Sequence, residues 1–170
     1  YPIIHATIYA IPYSDDFSKM VTYKSYDCGF WEYLFLNVVD FYKNWQGTYF
    51  AALIGGIPTY YFGGILALRL EMFGNTVLFF VALYFSVQSV LTYFGINREK
   101  RRLAELLYVV TGLFFLLNQT RLEEVFYWHS GMASYTLPLS CTLVSIICYL
   151  NYEVSKYKKS WLLMGIITAV

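Results

Sequence analysis

Long uncharged apolar runs alternate with short basic or aromatic–acidic stretches, and this alternation sets the architecture expected of the chain. Phe73 to Ile96 carries no charge, and Asn75, Gln88 and scattered hydroxyls are its polar members. Leu103 to Asn118 is shorter, with Glu105 near its start. Ser134 to Leu150 is also uncharged, and its Pro138 falls in the first turns, where a missing N–H is tolerated. A helix needs roughly 20 apolar residues to cross a bilayer, so 73–96, 103–118 and 134–150 are the expected spans. Tyr49 to Leu68 is apolar too, but it holds Gly55, Gly56, Pro58, Gly63 and Gly64. That density of helix breakers predicts an interfacial or re-entrant segment. The chain opens inside an apolar stretch (2–11) and closes inside another (161–170). The expectation is a single membrane domain over 1–170, truncated at both ends, with a partial span at 161–170. The fold class predicted is all-α: a multi-pass integral membrane helical bundle with interfacial helices in its first outer loop.

Composition sharpens this picture. Charged residues make up 14% of the chain and hydrophobic residues 58%, against about 25% charged in a typical soluble domain. There is too little charge here to coat a water-facing surface. A net charge of +1 argues against a nucleic-acid partner, which would call for a strongly basic domain. Cys28, Cys141 and Cys148 form no metal or redox spacing, and the last two lie seven apart in an apolar run, as packed helix residues do.

The basic clusters orient the spans. Arg98, Lys100, Arg101 and Arg102 separate the first two expected spans, and Lys156, Lys158 and Lys159 follow the third. Short Lys/Arg-rich loops stay cytoplasmic. Two spans separate the clusters, so both fall on one side, as the rule requires. The expected location is the cell membrane, with segments 11–72 and 118–133 non-cytoplasmic.

Those two outer segments carry the candidate chemistry. Tyr13-Ser14-Asp15-Asp16-Phe17 follows the opening apolar run. Adjacent carboxylates at a membrane edge can share a cation, or one can act as a general base. Capping of the next helix by Ser14 or Asp15 is the structural alternative, and the more common one. Phe30 to Tyr42 reads as an aromatic-rich helix suited to the headgroup plane or to packing on the protein's own helices. Trp45 sits in the polar–aromatic knot that follows it. The second segment packs Arg121, Glu123, Glu124, Tyr127, Trp128, His129 and Tyr135 into one short connection. Aromatic rings beside carboxylates suit a sugar, whose apolar face stacks while its hydroxyls are hydrogen-bonded. Arg121 could pair with a lipid-borne phosphate. Read blandly, His129 is a structural interfacial histidine and Arg121–Glu123 a salt bridge. Asp15 and Asp16, with His129 and a Glu, offer hard ligands for Mg or Mn, although nothing in the spacing specifies a metal. No phosphate-binding loop, dinucleotide fingerprint, nucleophile elbow or zinc-helix motif is present.

The Asp-Asp pair after a first apolar run, the long outer segment, the Trp45-Gln-Gly-Thr-Tyr49 knot and the Glu123-x-x-Phe-Tyr-Trp-His-Ser-Gly-x-x-x-Tyr-x-x-Pro138 stretch resemble the GT-C superfamily of membrane glycosyltransferases, in an uncharacterised bacterial branch. The resemblance implies transfer of a sugar from a polyprenyl-phosphate donor to a glycan or lipid acceptor on the non-cytoplasmic face. It gives Asp15 the role of base or metal ligand, with Asp16 as the adjacent acid. It places Glu124, Trp128 and His129 in the donor or acceptor pocket and turns Arg121 toward the phosphate. Relatives often carry Gly-Arg after the tryptophan where this chain has Gln46-Gly47-Thr48, so a cation is missing there.

Two non-catalytic readings compete. A transporter or flippase for lipid-linked sugars would place ionisable residues inside its spans. The expected spans are nearly free of charge, apart from Glu105 and the flanking Arg69 and Glu71, which weighs against it. A scaffold whose outer loops bind a partner would show no defined pocket and would tolerate changes at Asp15.

Overall fold

The computed structural model describes residues 2–12, 14–44, 49–96, 98–118, 126–156 and 158–169. Among the described residues the chain is helical and contains no strand. In order the helices are α1 (Pro2–Ala6, continued by a 3-10 turn over Thr7–Tyr9), α2 (Ser14–Ser25), α3 (Phe30–Asn44), α4 (Tyr49–Gly55), α5 (Thr59–Tyr93), α6 (Arg98–Asn118), α7 (His129–Val154) and α8 (Lys159–Ala169). They fall into two compact units, Tyr1–Val77 with Glu123–Pro138, and Leu78–Leu122 with Leu139–Val170.

Two helical stretches are long and apolar enough to cross a membrane: Tyr61–Tyr93, with mean hydropathy 1.6, and His129–Val154, with 1.5. Only 33% and 22% of their most apolar windows are buried inside the protein. The remaining apolar surface therefore faces something other than the chain's own core. Both helices start earlier than the apolar pattern alone indicates. α5 takes in 59–72, so Arg69 and Glu71 lie inside a candidate span instead of in an outer segment. Ile65 to Met72 are mostly strong helix formers, and they continue the helix beyond the local break at Gly64. That glycine has φ 61° and ψ −160°, a backbone region that side-chain-bearing residues rarely enter. α7 begins at His129 and includes a π-helical stretch at Met132–Thr136, so His129 belongs to a helix instead of a loop. Stretch 103–118 lies within α6, which opens on Arg98, Glu99, Lys100, Arg101, Arg102 and Glu105. Its uncharged remainder, 106–118, reaches about 20 Å at ~1.5 Å per residue, short of the ~30 Å hydrocarbon core.

In the first unit, α2 opens on Ser14, Asp15 and Asp16, which suit the positive end of its dipole. Asp15 is thus inside the first turn, not at the residue before it. α3 buries Tyr33, Leu34 and Asn37. Asn37 Nδ2 donates to the Ala52 carbonyl at 2.8 Å and so joins α3 to α4. A Cβ at Gly56 would stand 2.5 Å from that amide nitrogen and 2.7 Å from the Ala52 oxygen. Only glycine fits there, and Pro58 follows to end the turn before α5. The unit's apolar core is Ala10, Leu68, Met72 and Met132, flanked by Ile65, Tyr127 and Leu137. Arg69 Nε donates to the Ala10 carbonyl at 3.2 Å, and Tyr127 Oη donates to the Ile3 carbonyl at 3.0 Å. Both bonds hold the N-terminal segment on this core.

In the second unit, side-chain hydrogen bonds join helices at several points. Tyr108 Oη donates to the Phe80 carbonyl at 3.2 Å, Asn151 Nδ2 to Ser89 Oγ at 3.3 Å, and the Ser145 and Thr168 hydroxyls lie 2.9 Å apart. Gly165 brings α8 close to Cys148, since a Cβ there would lie 3.3 Å from the cysteine's own. α6 exposes Leu103, Leu106, Leu107, Val110, Leu113 and Phe114.

Candidate functional site

Adjacent residues on a helix point roughly 100° apart, and this separates the two aspartates of α2. Asp15 lines a cavity of about 530 Å3 whose wall also includes Ser18, Lys19 and Phe41. Across it stand Trp128, Ser130, Ser134 and Tyr135, from the connection into α7 and from its first turns, with Gly55 and Gly131 lining it by backbone. Asp16 instead turns inward and is buried. It lines a separate narrow gap with Lys19, Thr59, Tyr61, Leu68 and His129.

The inward side is ionic. His129 Nδ1 lies 3.2 Å from Glu71 Oε1, with the histidine side chain 3% exposed and the glutamate 23%. Asp16 and the Gly55 backbone also act on the imidazole. A buried imidazole needs such partners, because desolvation penalises a charge that is not paired. The pair joins α5 to α7 and so fixes the first turn that carries Trp128 and Ser130 toward the cavity. One turn beyond Glu71, Asn75 is buried with neither amide atom hydrogen-bonded among the described residues.

Lys19 connects the two sides, since it lines both spaces. Its ammonium sits 4.0 Å from the centre of the Phe41 ring. Burial pushes its pKa down, while the charges of Asp15 and Asp40 act in the opposite sense. Further along α2, Tyr23 makes edge contacts with Tyr33, Tyr61 and Phe62 at 5.0, 5.4 and 5.5 Å, and Lys24 lies 5.2 Å from the centre of the Tyr61 ring. This aromatic seam holds α2 against α3 and the start of α5.

Of the residues singled out by sequence, Asp15 and Trp128 share the open cavity. Asp16 and His129 meet in the narrow gap, and Tyr127 packs on the apolar core while bonding Ile3. Trp45, Arg121, Glu123 and Glu124 lie outside the described residues. Asp15 and Asp16 do not present both carboxylates to one cavity, and among the described residues no group of three or more His, Cys, Asp or Glu could hold a metal ion. Sequence reasoning missed Lys19, Phe41, Ser130 and Glu71. Lys19 stands four residues after Asp15, the helical spacing that brings a cation beside a carboxylate. Glu71 is a lone acid in an apolar run, and it was read as flanking a span.

No protein-family model, no curated protein and no solved structure matches the chain.

Proposed function

We propose that this protein is a multi-pass membrane glycosyltransferase. It takes a sugar from a polyprenyl-phosphate donor and passes it to a glycan or lipid acceptor on the non-cytoplasmic face. The observation that carries this reading is the cavity of about 530 Å3, in which the Asp15 carboxylate shares a wall with the rings of Phe41, Trp128 and Tyr135. Its volume lies within the ~300–1,000 Å3 of small-molecule sites. Rings with one carboxylate and several hydroxyls are the lining a sugar calls for, with stacking on the apolar face and hydrogen bonds to the rim. The two candidate spans supply the membrane, each is followed by a basic cluster, at 98–102 and 156–159, and a cytoplasmic place for both requires the full 21-residue α6 to cross back between them.

In the reaction Asp15 takes the proton of an acceptor hydroxyl as that oxygen attacks the anomeric carbon. The bond from that carbon to the phosphate oxygen breaks, and polyprenyl phosphate leaves with the bonding pair. Trp128 and Tyr135 hold the sugar ring, and the His129–Glu71 pair keeps the α7 end of the wall in place. The test is transfer from a polyprenyl-phosphate sugar by membranes containing wild type or Asp15→Asn. Loss of a positioned base costs roughly 10²–10⁴-fold in rate. Equal transfer by the two, at equal membrane abundance, overturns the mechanism.

One observation favours a second reading, movement of a lipid-linked sugar coupled to protons. Glu71 lies within one candidate span and pairs with His129, the first residue of the other, and ionisable residues inside a span mark translocation paths. Under this reading Asp15→Asn vesicles still move the lipid-linked sugar, and Glu71→Gln vesicles do not.

A further inference from the structure

We propose that Lys19, with the hydroxyls of Ser130 and Ser134, forms the anion subsite of the cavity and holds the phosphate of its ligand. The inference rests on the reading of that cavity as a sugar-phosphate site, and it moves the phosphate contact from Arg121 to residues whose positions are described. Lys19 is the cationic side chain among the described residues lining the cavity. A lysine that has lost part of its water gains most from an anionic ligand, because the Coulomb attraction is screened less where water is excluded. Its ammonium is held over the Phe41 ring at 4.0 Å, with the charges of Asp15 and Asp40 also acting on it, so an anionic ligand would share the cation with these two carboxylates. Opposite stands the first part of α7. There the Ser130 hydroxyl is buried with no hydrogen-bond partner among the described residues, and the Ser134 side chain is exposed to the cavity four residues on. A buried hydroxyl left unpaired is costly; the Ser130 oxygen is closed off from the cavity as it stands, and a turn about its Cα–Cβ bond would bring it to a phosphate oxygen.

The neighbouring carboxylate does not cancel the subsite. Asp15 precedes Lys19 by one turn on the same helix and lines the same space. Donor and acceptor together meet both needs, the donor's phosphate on Lys19 and the attacking acceptor hydroxyl on Asp15. A neutral sugar would satisfy only the second. The site therefore selects a glycosyl phosphate over a free glycoside, and it places the bond to the phosphate between the base and the cation.

The experiment uses the full chain in phosphatidylcholine vesicles and compares wild type with Lys19→Met, Lys19→Arg and Ser134→Ala. Three probes are titrated against each: polyprenyl phosphate in the bilayer, inorganic pyrophosphate in solution, and a neutral methyl glycoside. Binding is read from tryptophan fluorescence, with circular dichroism reporting the fold. A charge-assisted contact of this kind is worth about tenfold or more in affinity for the anion. Lys19→Met should lose that factor for polyprenyl phosphate, Lys19→Arg should restore most of it, and the glycoside should bind all four proteins alike. Ser134→Ala should weaken the anion by a smaller factor, roughly two- to fivefold. Undiminished lipid-phosphate binding by Lys19→Met overturns the subsite while leaving the sugar cavity standing. Equal loss of glycoside and anion also overturns it, by making Lys19 a structural support. Pyrophosphate binding that depends on Lys19, without binding of the lipid, keeps the subsite but assigns it to a soluble phosphate and removes the polyprenyl donor. Failure of wild type to bind any of the three removes the cavity reading as well. If Lys19→Met does not fold, Lys19→Gln takes its place with the same expected loss, and Ser134→Ala carries the smaller comparison.

Discussion

The two compact units handle polar groups in opposite ways. In the unit built from 1–77 and 123–138, charged and amide side chains go inward and bond across the sequence: Glu71 to His129, Arg69 to Ala10, Asn37 to Ala52. In the other unit, the side chains that bond within the described residues are mostly hydroxyls that return to their own helix. Ser86 donates to the Leu83 carbonyl, Thr92 to Gln88 and Ser145 to Cys141. A hydroxyl satisfied by its own backbone can sit in apolar surroundings at little cost, whereas an ionised group there needs a partner supplied by the fold. The first unit therefore spends its folding on building an interior for ionisable groups, and the second on presenting apolar surface. Broken helices go with the first: the Gly56–Pro58 turn, the positive φ of Gly64 and the π-helical stretch of α7 all lie there. The π-helical stretch places Ser134 and Tyr135 on the cavity, and the turn before α5 places Ile57 and Pro58 on the narrow gap.

The sharpest way to break this contrast is to remove one partner of the ion pair. His129→Ala leaves Glu71 partly buried without its partner, and breaking a buried pair of this kind costs about 3–5 kcal/mol. Unfolding in detergent micelles, followed by circular dichroism, reads this directly. The double variant His129→Ala with Glu71→Gln should recover part of the loss. If it is no better than the single variant, the two residues are not coupled and the interior is not organised around them.

The next contrast uses apolar truncations of comparable size in each unit. Met72 is 0% exposed in the first core, so Met72→Ala should cost about 2–4 kcal/mol through lost burial and a cavity. Leu107, on α6, is 57% exposed in the protein, and Leu107→Ala should stay within about 0.5 kcal/mol. Equal costs at the two sites would mean that the α6 surface packs on something as tightly as the first core does. Smaller again is Asn151→Leu, which removes the 3.3 Å bond to Ser89. Interhelical polar bonds in apolar surroundings average about 0.6 kcal/mol, and a loss of several times that would make this contact a main tie of its unit.

These differences also explain what could be read from the sequence. The apolar runs at 73–96 and 134–150 are legible because long uncharged stretches stand out in sequence, and both fall largely within the two helices long and apolar enough to cross a bilayer. The true starts of α5 and α7 are not so legible. Arg69 and Glu71 look like the end of an apolar run until Ala10 and His129 are brought to them, and those partners lie 59 and 58 residues away in the chain. His129 looked like a loop residue for the same reason. Aspartates and aromatic residues could be named as site candidates by type, and Asp15 with Trp128 do share a cavity. The split between Asp15 and Asp16 depends on the phase of α2, which a dipeptide does not carry. Lys19 went unread because a single lysine on a polar helix resembles a solvated one, and only the cavity tells them apart.

The smallest effect tests whether the polar interior is selective down to single atoms. Tyr33 is 0% exposed, and its hydroxyl has no hydrogen-bond partner among the described residues, while its ring contacts Tyr23 and Tyr26. Tyr33→Phe keeps those contacts and removes a buried hydroxyl that gains nothing from the fold. Stability near neutral pH should be unchanged or up to about 1 kcal/mol higher. Burial also pushes the Tyr33 phenol up from 10.0 to about 12, so the folded chain holds this proton more tightly than the unfolded one does. Stability linked to that proton is fully present below about pH 10 and is lost as the pH rises toward about 12. The phenylalanine variant should lose less stability than wild type across that window in paired unfolding curves. A variant that is less stable at neutral pH and falls just as steeply in alkali would show that the hydroxyl is bonded, and that the first unit pairs Tyr33 as fully as it pairs His129.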